Sequence, residues 1–248
     1  MLDIKVTENY GGIEVKGDYA DFEQLYDSIF EIIGDEEDYP TLEKLRIQIL
    51  AFCYDLRHAK QGNREIELVE NNMNDEIMKW HSIITPINNV YYKFKYILTQ
   101  AIFVVYSLNI FIDNYKYKKY KSSYYTKVVY DEAVNIVQEF QSKIIKSIVQ
   151  LLSEKNKKTF LKLFYDREFG TNRLVHQYLE LIDCRYLAKN KEDRLKGLVN
   201  TTKRVIKYWE YQEYIDLEQE LIEYAEKNQC DIDDIMIDGT EYPEEIDW

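Results

Sequence analysis

Cysteine, proline and glycine are all scarce in this chain of 248 residues, which has 3 Cys, 3 Pro and 8 Gly. Three cysteines, an odd number with no CxxC spacing, argue against a disulfide framework and against a zinc site. So little Gly and Pro leaves too few turns for an all-β fold, and abundant Lys, Glu, Leu, Ile and Tyr favour long helices instead. Long apolar runs are missing too. The most hydrophobic stretch, AIFVVYSLNIFI at residues 101–112, is too short to span a bilayer and is interrupted by Ser107 and Asn109, so it reads as a buried core helix and no membrane association is expected. The opening MLDIKVTENY has neither a basic nor an apolar leader region, which points to a cytoplasmic protein. No P-loop, GxGxxG, GxSxG or HExxH occurs, so phosphate-cradling and serine-hydrolase chemistry lose their usual motifs. No metal site and no cofactor is expected.

What the chain does have is acid, tyrosine and apolar periodicity. Its net charge is -13, unevenly spread. Residues 231–248 carry eight acids and no Lys or Arg, whereas residues 115–127 carry five Lys and no acid. The lysine-rich segment, YKYKKYKSSYYTK, mixes cations with aromatics as single-stranded nucleic-acid surfaces do. An overall acidic protein is nevertheless a poor polyanion binder, so another protein is the expected partner. The 23 Tyr suit half-buried core margins and binding surfaces alike.

Leu2, Ile4 and Val6 alternate with polar residues, as do Ile13 and Val15, around a turn at residues 9–12, which predicts a β-hairpin. Asp18 or Asp21 caps a helix whose Phe22, Leu25, Ile29 and Ile33 share one face up to Gly34. The acidic loop at residues 35–38 reads as solvated. A second helix carries Leu45, Ile49, Phe52, Cys53 and Leu56, and alternation then resumes at Ile66 and Leu68. MKWHSII suggests a short strand with Met78, Trp80 and Ile84 inward. Val90, Tyr92, Phe94 and Tyr96 mark a clear strand, whose Lys93 and Lys95 match Glu65 and Glu67 across an antiparallel meander, with these four on the wetter face. From residue 98 the pattern is helical, and the seam from Leu195 to Ala225 is long enough to predict a break near residues 211–214. The fold class is therefore α+β: a small antiparallel sheet in the N-terminal part covered by helices, followed by a helical bundle sharing the core. Residues 1–97 hold the hairpin and meander, 98–229 the bundle and 230–248 an acidic tail, together one structural domain.

Chemically capable side chains crowd the end of the second helix. Asp55 and His58 stand three apart there, and Arg57 and Gln61 four apart, with Arg64 just beyond Gly62. A carboxylate beside His58 would orient the ring and favour its protonated form. The plainer explanation is that Arg57, His58 and Lys60 are cations favoured by the helix dipole. Two function classes follow. The leading one is a non-catalytic protein-binding or regulatory module. The alternative is an enzyme acting on a phosphate-bearing or nucleotide substrate, with Arg57 or Arg64 and Gln61 binding the anion, and His58 or His81 with Asp55 moving the proton. Arg173 and His176 with Asn172, and the Glu14-Val15-Lys16 triplet, resemble nuclease patterns only in part, since the spacing and the upstream acid those families need are absent. The tail, rich in Ile, Tyr242 and Trp248, is expected to dock near residues 115–127.

The runs CYDLRHAKQGNREIELV, MKWHSIITPINNVYY and EYPEEIDW resemble an uncharacterised family of low-GC Gram-positive bacteria, a domain of unknown function. The resemblance covers most of the chain and implies no activity and no catalytic residues.

Overall fold

The hairpin forms as its alternation requires. β1 (Asp3–Val6) pairs antiparallel with β2 (Gly12–Gly17), setting Ile4 opposite Val15 on the face that becomes the core. The structure, a computed structural model, describes residues 2–121, 127–165 and 173–248. Asp18 caps α1 (Tyr19–Ile33) through a reciprocal capping box: it accepts from the Asp21 amide at 2.8 Å, while the Asp21 carboxylate accepts from the Asp18 amide at 3.1 Å. α1 ends at Gly34, whose φ of 63° suits a residue without Cβ. α2 (Glu43–Lys60) then leads to β3 (Glu65–Glu70), α3 (Asp75–His81) and β4 (Asn88–Ile97).

The sheet order is β1-β2-β4-β3, with every neighbouring pair antiparallel. β3 and β4 do share one sheet, but the arrangement is not a simple meander, because β4 sits between β2 and β3. Alternation fixes which residues share a face without fixing strand order, which depends on how α1 and α2 cross over. Lys93 faces Glu65 and Lys16, and its ammonium lies 3.2 Å from Glu67, so the wet face is a charge ladder. On the other face Phe94 and Tyr96 are buried beside Val15 and Ile13. Phe52 of α2 meets both rings, at 5.6 and 5.2 Å, and reaches Phe140 at 5.1 Å.

MKWHSII is the end of a helix and the turn after it, not a strand. Asn74 accepts from the Ile77 amide at 3.0 Å, Asp75 and Glu76 occupy the first turn, and Ser82 stops α3 in a left-handed conformation, so capping chemistry overrides a short apolar alternation. None of its residues is buried, and the expected inward side chains Met78, Trp80 and Ile84 do not enter the core.

β4 runs without a loop into α4 (Leu98–Tyr120), which is buried on nearly all sides and is the expected core helix, carried further than its most apolar stretch. α5 (Glu132–Val149), α6 (Glu154–Lys162), α7 (Val175–Leu187), α8 (Lys191–Ile206) and α9 (Gln212–Asn228) complete the bundle. The break in the last seam falls at residues 207–211, slightly before the expected place, where a 3-10 turn buries Tyr208 against Tyr214 at 5.0 Å. Buried residues from Ile4 to Leu221 form one cluster, onto which Ile232, Ile235, Ile237 and Ile246 of the tail pack.

The tail docks, but not on the lysine-rich segment. The Tyr242 hydroxyl donates to Asp183 at 3.1 Å, Arg194 donates to the Asp247 carbonyl at 2.6 Å, and the Asn9 amide donates to the Trp248 carbonyl at 2.9 Å. The Trp248 ring lies against Gly12, where a Cβ would come within 2.5 Å of it. Two lysines of the basic segment are already paired, Lys118 with Asp38 and Lys119 with Glu31 and Asp131. Residues 122–126 of that segment lie outside the described residues. With those cations engaged, the tail takes its apolar burial and its polar anchors along α7 and the β1–β2 turn instead.

Candidate functional site

At the end of α2 the backbone turns at Gly62, whose φ is 80°, and this brings Arg64 back over the helix. Both Arg64 Nη2 and Nε donate to Asp55 Oδ1, at 2.7 and 3.3 Å. Asp55 is therefore partnered by Arg64 and not by His58 or Arg57, because an arginine arriving from the turn before β3 outcompetes a neighbour three residues away. The His58 ring instead stacks on Tyr54 with centroids 4.2 Å apart, and its Nδ1 lies 3.3 Å from Asn63 Nδ2. Arg57 also leans on Tyr54, at 5.6 Å, and lines a shallow groove of about 170 Å³ between α1 and α2. Gln61 is exposed. Cys53 borders the same groove, but burial pushes its thiol up to about 12, so it supplies no thiolate nucleophile.

His81 lies in the last turn of α3, exposed, and among the described residues no hydrogen bond or ring contact joins it to His58. His176, in the first turn of α7, has its Nδ1 2.9 Å from Gln48 Nε2, a contact that ties α7 to α2, and its Nε2 3.4 Å from Glu180 one turn along the same helix. Arg173 precedes that helix, and Asn172 lies outside the described residues. In the Glu14-Val15-Lys16 triplet Val15 points into the core, while Lys16 donates to Glu67 at 2.8 Å. Hydrogen bonds from Lys16 and Lys93 hold the Glu67 carboxyl below its usual range.

A second feature was not legible as a site. β3 is an edge strand, and its Ile66 and Leu68 stand opposite Tyr92 and Val90 on the core-side face of the sheet. The helices that cover Phe94 and Tyr96 do not extend this far. Leu68 is 62% exposed, and next to it in the chain α3 and its following turn expose Ile77, Ile83, Ile87, Trp80 at 86% and Ile84 at 100%. Apolar residues recurring at strand and helix spacing ordinarily mark a core, so sequence alone assigns these inward.

A model of the family described as "Domain of unknown function (DUF6904)" matches residues 2–248. The chain belongs to this family. No curated protein and no solved structure matches it. Among the described residues of this DUF6904 chain, no helix is long and apolar enough to cross a membrane, and no group of three or more His, Cys, Asp or Glu is placed to hold a metal ion.

Proposed function

We propose that the protein is a cytoplasmic, non-catalytic protein-binding module, and that its docking surface is the open edge of β3 with the apolar side chains beside it. The observation that carries this reading is the uncovered core-side face at Ile66, Leu68 and Val90, with Trp80 and Ile84 exposed in the segment that links β3 to β4. Soluble monomers rarely leave contiguous apolar surface of this kind, and where they do it marks an interaction site. An open edge also presents unpaired backbone donors and acceptors, which an added strand satisfies.

The chemistry of the partner follows from β3 itself. A strand laid along it sets apolar residues beside Ile66 and Leu68, and Lys or Arg beside Glu65 and Glu67 on the opposite face. For a second copy, two of the symmetric antiparallel registers are disfavoured: centred on Glu67, that carboxylate faces itself, and centred one half-step on, Glu65 faces Glu70. Trp80 and Ile84 are the natural anchors, each worth about 1.5–3 kcal/mol when buried, before the cost of association.

Hydrogen exchange along Glu65–Glu70, with and without an extended peptide of alternating Val and Lys, tests the reading. Slower exchange confined to this strand is expected, with binding weakened about tenfold by Leu68→Asp or by Trp80→Ala. If the peptide leaves β3 unprotected while ultracentrifugation finds a dimer that Leu68→Asp dissolves, the occupant is a second copy. If neither occurs, the edge is not a docking surface.

A further inference from the structure

A cleft of about 270 Å³ opens between α7 and α8, away from the β3 edge, and it is basic in an otherwise acidic protein. Arg185 and Lys189 line one wall, and Gly197, Asn200, Thr201 and Arg204 line the other at helical spacing. Arg185 and Arg204 share Glu213, each through Nη1, which leaves the remaining N–H groups of both guanidinium forks uncommitted to that carboxylate. Lys189 has no acidic partner among the described residues. Three cations thus answer to one carboxylate. Thr201 is buried at the cleft wall, and among the described residues its hydroxyl has no hydrogen-bond partner.

Gly197 is the less expected part. A glycine in a helix interior costs about 1 kcal/mol relative to alanine. Close approach of another backbone would explain it, yet a Cβ at this position meets nothing nearer than Lys189 Nζ, at 3.8 Å. Packing does not require the glycine, and its missing side chain leaves open floor beneath the lysine ammonium.

We propose that this cleft binds a small phosphate-bearing molecule, its phosphate above Gly197 and held by Lys189, Arg204 and the Thr201 hydroxyl. A dianion matches the local excess of positive charge. Its oxygens can take a point-charge donor, a planar fork and a hydroxyl from three directions, where a carboxylate has only two oxygens to offer. The cleft is smaller than drug-sized pockets, so what accompanies the phosphate is about as large as a pentose. Asn200, at the rim, is placed to hydrogen-bond such a group.

Titrating the full chain, isotope-labelled, with inorganic phosphate and separately with a pentose phosphate tests this, with chloride holding ionic strength constant. Saturable shifts at the Gly197 and Thr201 amides are expected, and the tighter of the two ligands tells whether free phosphate or a phosphate ester is taken. Lys189→Gln, at an exposed position, should weaken binding about tenfold, the effect of one hydrogen bond to a charged group. Gly197→Leu should block the cleft. Gly197→Ala should weaken binding while raising Tm, opposite signs that a glycine kept for packing would not give. The proposal is overturned by the absence of saturation at millimolar ligand, by shifts that chloride alone reproduces, or by binding that Lys189→Gln and Gly197→Leu both leave unchanged.

Discussion

Replacing Asp183 by Asn should make the protein more stable at neutral and alkaline pH and flatten its pH dependence. Asp183 lies on α7, fully buried, and accepts from Thr99 Oγ1, from Gln100 Nε2 at 2.8 Å and from the Tyr242 hydroxyl at 3.1 Å. No cation is among these partners. Burial pushes its carboxyl up to about 7 from 3.8, the three hydrogen bonds pull it partly back, and Glu180 nearby adds a smaller upward push. Because the folded pKa is the higher one, the native state holds a proton that the unfolded chain has already released between these two values. Stability is therefore greatest below pH 3.8 as far as this group is concerned, and it is lost as pH rises through about 7.

At 1.36 kcal/mol per pH unit, the gap amounts to about 4 kcal/mol well above both values, of which about 2–3 kcal/mol develops between about pH 5 and pH 8. Urea unfolding of the native chain and of Asp183→Asn across that range measures it, and the difference between the two proteins cancels every group the substitution leaves alone. Asn keeps an acceptor for Thr99 and can donate to the Tyr242 oxygen, while the Gln100 amide must turn to present its oxygen. The native protein should lose about 2–3 kcal/mol relative to the variant on going from pH 5 to pH 8. Parallel curves would refute the reasoning, since they would mean that the carboxyl is ionised in the fold without penalty.

A chain ending at Gln229 should unfold at lower urea, by about 4 kcal/mol or more, because it uncovers the apolar surface beneath Ile232, Ile235, Ile237 and Ile246 and removes the Asp247 acceptor from buried Arg194. Removing Tyr242 with that segment should also let water reach Asp183 and reduce the pH dependence described above. Gly12→Ala should cost about 1–3 kcal/mol, since its Cβ would lie 2.3 Å from the Tyr96 carbonyl oxygen and against the Trp248 ring. Under native conditions a thiol reagent should label Cys230, which is exposed, while Cys53 and Cys184, both buried, react only on unfolding.

Local patterns carried most of the fold. The hairpin, the capping box at Asp18, the stripe on α1 and the strand around Phe94 follow from residues within a few positions of one another, so sequence reports them directly. The pairing of Asp55 with Arg64, the order β2-β4-β3 and the resting place of Trp248 join residues from different elements, and no periodicity encodes them. The polar cluster at the end of α2 was visible because its members are neighbours in the chain. The α7–α8 cleft was not, because Arg185 of α7 and Arg204 of α8 meet only when the two helices fold back on each other.

The β3 arm shows where such reading reaches its physical limit. Hydrophobic periodicity tells which side chains gain by leaving water, and by that measure Ile66, Leu68 and Val90 belong with Phe94 and Tyr96 on one sheet face. It does not tell what will cover them. Phe94 and Tyr96 are buried beneath Phe52, whereas Leu68 and Val90 remain open, and among the described residues no helix packs closely on β3. A residue that reads as core and is found in water is a mismatch of this kind. Where several share one face next to an open strand edge, the partner strand proposed above is what would supply the missing layer.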